Sequence, residues 1–311
     1  MLKCALIVLC LLCGLPRFVT ANSVSDLAHR HAMQLTQDFS AGNRWEKITA
    51  EDLKEYVLPL TSLGEDEVDW LSTLRPLAEE FAAPAKTPLE AAMLINRHLW
   101  KRINVIYSTK REKANQDPLH SMRLGLASCS GLSILLVDAC RSIGIPARVV
   151  GCMWKLKPGN HSWVEVKSEG KWYPLGAFED VPPTELWFLS DAAAADAADP
   201  RFAIYATRAT DNQVRFFGWN VPAENVTHHY VQTPNREQGC RVFYAIEQAG
   251  ERVALPFTVN GKTYTSPGPL QDMNDYAEIL LPAQGPFELQ LKGQVYRYEG
   301  KNNQIIVEQL P

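Results

Sequence analysis

Beyond residue 21 the sequence has no C-x-x-C pair, and along its whole length it has no block of five or more Lys/Arg, no heptad run and no internal repeat. The first absence removes the usual structural zinc site. The second, with a net charge of −4, argues against a nucleic-acid partner. The others exclude a coiled coil and a solenoid. No EF-hand loop pattern occurs, so no calcium site of that kind is expected. Neither a metal nor another cofactor is expected. Long apolar runs are also scarce. Ala5 to Leu15 is apolar but too short to span a bilayer. Lys3 precedes it and Val19-Thr20-Ala21 follows, which is the pattern of a secretory signal peptide over residues 1–21, cleaved near Ala21. A lipidation site would need a small residue just before a cysteine, and Lys3, Leu9 and Leu12 stand there instead. The expected location is secreted or periplasmic, with no membrane contact after cleavage.

What remains is a soluble globular chain with room for more than one domain: 311 residues, 46% hydrophobic and 21% charged. Losing the leader discards Cys4, Cys10 and Cys13. Cys129, Cys140, Cys152 and Cys240 remain, too few for a disulfide scaffold. One disulfide among them stays open. Two sequons, at Asn160 and Asn225, would matter only in a eukaryotic secretory pathway.

Residues 22–85 read as a helical region. Thr49 to Asp52 marks one helix start. "EDEVDWLSTLRPLAEEF" is a further helix, broken or kinked at Pro76. "TPLE" at Thr87–Glu90 combines an N-cap, a first-turn proline and a capping box. Lys113 to Ser128 lacks periodicity and reads as a loop. Leu132, Leu135, Leu136, Ala139 and Ile143 then form one apolar stripe, stopped by Gly144 and Pro146. "ARVVGCMW" reads as a strand and "HSWVEVKSEGKWYPL" as a hairpin turning near Glu169-Gly170. Residues 183–206 read as mostly helix with a strand-like end. From about Asn220 short β runs separated by Gly, Pro and Asn suggest a small antiparallel β-sandwich.

Cys129 and Cys140 differ in position. Cys129 lies at a loop-to-helix junction, where first-turn N–H groups and the helix dipole favour a thiolate. Cys140 lies on the apolar stripe and is expected to be inert core. A nucleophilic cysteine needs a base and a group that orients it. His161, at the start of a strand, is the base candidate. Strand alternation puts His161, Trp163 and Glu165 on one face. Asn160 and Trp163 are expected to line the substrate cleft. His120, in the loop before Cys129, is an outside candidate for the base.

The order Cys129, Gly144-Ile145-Pro146-Ala147-Arg148, His161-Ser162-Trp163-Val164-Glu165-Val166 and Trp172 resembles the transglutaminase-like core, a branch of the papain-like cysteine enzymes. The resemblance covers about residues 86–218. It implies an α+β fold: N-terminal helices, a catalytic cysteine at a helix start packed on an antiparallel sheet, and here a β-sandwich-like domain over 219–311. It implies acyl chemistry on peptide or glutamine-type amide bonds through a Cys129 thioester, resolved by water or by an amine. Peptides or proteins are the implied substrates. The family carries an Asp a few residues after the Trp, where it orients the histidine. Gly176 stands there in this chain. Glu179 and Asp180 are the nearest acids, and either is a candidate for the third residue. The backbone N–H of Cys129 and the side chain of Gln116 are candidate oxyanion donors. The missing Asp also leaves open a catalytically weak module that binds protein or glycan.

Overall fold

The structure, a computed structural model, describes residues 25–40, 44, 45, 48–231 and 239–311. The expected signal peptide and its cleavage site lie outside the described residues.

The N-terminal region is helical in part: residues 58–70 lie outside any helix, so the helix expected over Glu65–Phe81 starts six residues late. Helix α1 spans Asp26–Ser40. Thr49 caps the turn Ala50–Asp52, which runs on into a π-helical turn, Leu53–Val57. Helices α2 (Leu71–Ala82) and α3 (Pro88–Ile103) follow. Pro76 lies inside α2 and does not end it. At the start of α3, the Thr87 hydroxyl accepts from Glu90 N at 3.2 Å, while the Glu90 carboxylate accepts from Lys86 N at 2.8 Å. The capping box is therefore displaced by one residue.

Residues 113–128, expected as loop, contain helix α4 (Pro118–Leu124). It has only seven residues, too few to show a period, but its ends carry signals. The Asp117 carboxylate accepts from His120 N at 2.9 Å, and Gly125 closes the helix at φ +72°. Strands β1 (Ile106–Tyr107) and β2 (Leu126–Ala127) pair in parallel beside it. Helix α5 (Cys129–Ser142) begins one residue later. Its stripe residues Leu132, Leu135, Leu136 and Ala139 are buried against Val164 and Val166. Arg141, also buried, donates to the carbonyl of Tyr56 and to Ser62 Oγ, which ties α5 to the segment before α2.

A six-stranded antiparallel sheet lies against α5. Its strands are β3 (Ala147–Met153), β4 (Asn160–Ser168), β5 (Lys171–Leu175), β6 (Tyr205–Thr207), β7 (Gln213–Phe216) and β8 (Trp219–Asn225), in the order β5-β4-β3-β6-β8-β7. The β4–β5 turn falls at Glu169 and Gly170, both at positive φ, as a two-residue hairpin demands. β8 lies past residue 218, so the core sheet reaches further than the composition shift suggested. The alanine-rich stretch expected as helix is helical only over α6, Leu189–Ala192. Beyond it Asp196 and Asp199 accept from the nearby backbone N–H groups of Ala198 and Arg201, and these local bonds compete with a helix.

The C-terminal region is two four-stranded sheets. One holds β9 (Cys240–Gln248), β10 (Glu251–Arg252), β13 (Ala277–Leu281) and β16 (Gln304–Leu310). The other holds β11 (Pro256–Val259), β12 (Lys262–Thr265), β14 (Gly285–Leu291) and β15 (Gln294–Gly300). Val242, Tyr244, Phe257, Ile279 and Leu289 fill the space between them. All pairings are antiparallel except β16 with β9. The two regions are bolted together at Lys157, in the β3–β4 loop. Its buried ammonium lies 2.7 Å from Asp191 and 4.8 Å from the Phe243 ring of β9.

Candidate active site

Ser128 caps α5. Its hydroxyl accepts from Gly131 N at 3.2 Å and donates to the carbonyl of Ala114 at 2.6 Å. Cys129 is thus the first helical residue, half-buried, with a free thiol. By position the N–H groups of Cys129 and Ser130 have no acceptor within the helix. Cys140, Cys152 and Cys240 are also free, so none of these four forms a disulfide. Cys140 is fully buried on the stripe, and burial pushes its thiol up to about 12. It lies in the core, as expected.

His161 is the second residue of β4, opposite Cys152 on β3. Its ring is buried in an aromatic box, 4.7 Å from Trp187, 5.0 Å from Phe188 and 6.1 Å from Trp163 between centroids. Ser130 Oγ and Ser162 Oγ are 2.9 Å apart. That bond pins the start of α5 to the start of β4, one residue beyond Cys129 and His161.

The acid in contact with the histidine is Asp272, from the loop before β13. Its Oδ2 lies 3.3 Å from His161 Nδ1, and both side chains are 5% exposed. This is ion-pair distance, although neither atom meets hydrogen-bond geometry. The Cys129 sulfur, one His161 ring nitrogen and one Asp272 oxygen all lie within 4.8 Å of one another. The same closeness would admit a metal ion, but a thiol, an imidazole and a carboxylate in one cluster suffice for acyl chemistry. Burial alone would push the imidazole down. Asp272 and the Cys129 sulfur outweigh it and hold His161 well above its usual range. Burial would likewise raise Asp272, but His161 and the Asn274 N–H hold it below the usual carboxylate range.

The two acids expected from the sequence lie elsewhere. Glu179 accepts from Trp187 Nε1 at 2.9 Å and has no hydrogen bond to the imidazole. Its carboxyl fills the space a side chain at 176 would take: a Cβ on Gly176 would come within 2.3 Å of it. The Asn96 amide on α3 holds this turn by donating to the carbonyls of Gly176 and Glu179. Burial raises the Glu179 carboxyl to about 7, against the lowering pull of His161. Asp180 is turned outward, 2.9 Å from Arg97 with about half of its side chain exposed.

Three other expectations are corrected. Gln116 is fully buried and its amide is committed: Oε1 accepts from Glu112 N and Lys113 N, and Nε2 donates to Ser121 Oγ and the carbonyl of Leu126. It anchors the loop before α4 and has no donor left for an oxyanion. Trp163 is core, fully buried, and donates to Tyr230 Oη at 2.8 Å. His120 pairs with Glu112 at 2.7 Å, and the cluster around the Cys129 thiol holds His161 and Asp272 instead. Asn160 directly precedes His161 on β4, and its carbonyl accepts from Asn274 Nδ2 at 2.7 Å. Asp272 was missed because nothing in "LQDMNDYAE" distinguishes it from a solvated β-loop.

Residues 75–177 match the family model of the transglutaminase-like superfamily. This stretch, about a third of the chain, is similar to the transglutaminase-like core; helices precede it and β-sheets follow it. No curated protein sequence matches the chain. Similar solved structures include a candidate cysteine protease from Cytophaga hutchinsonii, at 20% identity and TM-score 0.34, covering 55% of this chain and 56% of that one. The periplasmic domain of TgpA from Pseudomonas aeruginosa, bound to ethylmercury, has 23% identity and TM-score 0.28, covering 37% and 46%. A candidate protease from Parabacteroides distasonis has 11% identity and TM-score 0.32, covering 62% and 33%. The alignments thus span between a third and just over half of those structures.

Proposed function

We propose that the protein is a thiol enzyme acting on peptide or glutamine-type amide bonds. One observation carries this reading: a free thiol at the first position of a helix has an imidazole nitrogen and a carboxylate oxygen within 4.8 Å. The superfamily match over residues 75–177 supports it.

In this reaction the Cys129 thiolate attacks the carbonyl carbon. The oxyanion so formed faces the unsatisfied N–H groups at the start of α5. The imidazolium of His161 gives its proton to the departing amine, and a thioester remains on Cys129. Water then attacks the thioester. Neutral His161 takes its proton, the acid product leaves, and the thiolate returns. A primary amine in place of water would give transfer. Hydrolysis is the outcome we favour, on peptides or proteins. The N-terminal residues 1–21 support action outside the cytoplasm.

The test compares wild type with Cys129→Ala for hydrolysis of peptide and glutamine-amide substrates and for incorporation of a labelled amine. Turnover only in the wild type supports the nucleophile. Equal turnover in both proteins overturns it. Amine incorporation exceeding hydrolysis assigns transfer instead. Substrate binding without turnover by either protein assigns a binding module.

A further inference from the structure

We propose that the C-terminal β domain completes the active site, with Asp272 as the residue that positions His161. This rests on His161 being the general acid and base described above. The family position for such an acid, at 176, is a glycine here, and the nearest acid in the core is poorly placed to replace it. Glu179 is hydrogen-bonded to Trp187 rather than to the imidazole. Its raised carboxyl makes it a partial anion near neutral pH and a weak counter-charge.

Asp272 is built for the task. Its Oδ1 accepts from Asn274 N at 2.8 Å and from Asn274 Nδ2 at 3.0 Å. That Asx turn fixes the carboxylate and leaves Oδ2 to face His161. The loop is held on its own domain by Arg252, whose guanidinium donates to the carbonyls of Met273 and Asp275. It is docked on the core at two points. Met273 N donates to Tyr107 Oη at 2.8 Å, and Asn274 Nδ2 donates to the carbonyl of Asn160, the residue before His161. Gly159 permits this approach: a Cβ there would lie 2.1 Å from Asn274 Oδ1. The ring nitrogens of His161 and Oδ2 of Asp272 are buried and make no hydrogen bond, with the Cys129 sulfur as the third group of their cluster. An uncompensated carboxylate in such a place is costly, so its pairing with the imidazolium is what the loop geometry serves.

The ionisable groups facing His161 are Cys129 on α5, Glu179 after β5, and Asp272 and Asp275 of the loop. Removing the Asp272 charge takes away the main support of the imidazolium. The alkaline limb of the activity profile, where His161 loses its proton, then moves to lower pH.

The experiment measures kcat, KM and the pH profile on a peptide amide, together with pH-dependent alkylation of Cys129 by iodoacetamide. Asp272→Asn is expected to lower kcat by 10-fold or more, leave KM within about 2-fold, and shift the alkaline limb down by at least half a pH unit. Glu179→Gln, which removes a weaker counter-charge, is expected to move that limb less than Asp272→Asn does. Asn274→Ala, which only loosens the loop, should give a smaller change of the same kind. It serves alone if Asp272→Asn fails to fold. Unchanged kcat and limb in both loop variants overturn the proposal. So does increased activity, which would make the carboxylate a plug over the thiol. If Cys129→Ala keeps full activity, the thiol reading itself has failed, a result distinct from either.

Discussion

Ser130 Oγ and Ser162 Oγ meet at 2.9 Å in a fully buried contact, each one residue past a member of the Cys129–His161 pair. The bond spans α5 and β4 and so holds the Cys129 thiol and the His161 imidazole near each other. Ser162→Ala leaves the Ser130 hydroxyl buried without a partner, at a cost of about 1–3 kcal/mol. Urea unfolding should show that loss, and kcat should fall more than KM changes. The Ser130→Ala/Ser162→Ala double variant should lose less than the sum of the two singles, because it strands no hydroxyl. Additive losses would mean that the two serines do not act as a pair.

The two cysteines of α5 should separate cleanly. Cys129→Ala is expected to abolish turnover with little change in stability, since the site is half-buried. Cys140→Ala removes a buried sulfur from the stripe and should cost on the order of 1 kcal/mol. Its kcat should stay within about 2-fold of wild type. A folded Cys140→Ala protein without activity would contradict the assignment.

Arg148, the last residue of the Gly144–Arg148 motif, is an electrostatic pillar rather than part of the reaction. Its guanidinium is fully buried, 2.7 Å from Glu165 and 2.6 Å from Glu224, and stacks over Trp172 at 3.9 Å. Arg148→Ala strands the buried Glu165 carboxylate and should cost about 3–5 kcal/mol. Arg148→Lys should recover only part of this, because an ammonium supplies neither the fork nor the stack. Thermal unfolding of the three proteins checks the order.

Glu179 gives a pH-dependent signature. Its carboxyl is raised from 4.5 to about 7 by burial, opposed by His161. Ionising it therefore costs the folded state more than the unfolded one. The penalty is absent below about pH 4.5, grows up to about pH 7 and is constant above. Glu179→Gln keeps an acceptor for Trp187 and removes the charge. Relative to wild type its stability should rise across that window, by on the order of 2 kcal/mol at pH 8. Denaturant midpoints at pH 4.5, 6 and 8 measure it. A constant difference at all three would refute the buried-acid account.

Much of the core was legible because its signals are local. A helix start, an apolar stripe and a Gly-Pro stop are each carried by neighbouring residues, and so is the alternation that puts His161 on one face of β4. Helix α4 escaped because seven residues show no period, although Asp117, Pro118 and Gly125 mark its ends. The alanine-rich stretch misled because propensity favours a helix where Asp196 and Asp199 bind the backbone locally. Gln116 was expected at the site by its place upstream of Cys129, but its amide is spent on its own loop.

The sequence by itself determined the thiol, the histidine and the elements that carry them, because each depends on residues close along the chain. It also exposed the vacancy at Gly176, though not what surrounds that position. Only the tertiary structure decided which acid meets the imidazole. Glu179 is 18 residues from His161 and Asp272 is 111, yet Asp272 is the one in contact at 3.3 Å. Sequence separation carries no information about such a contact, because it is made where the loop before β13 docks on Tyr107, Gly159 and Asn160.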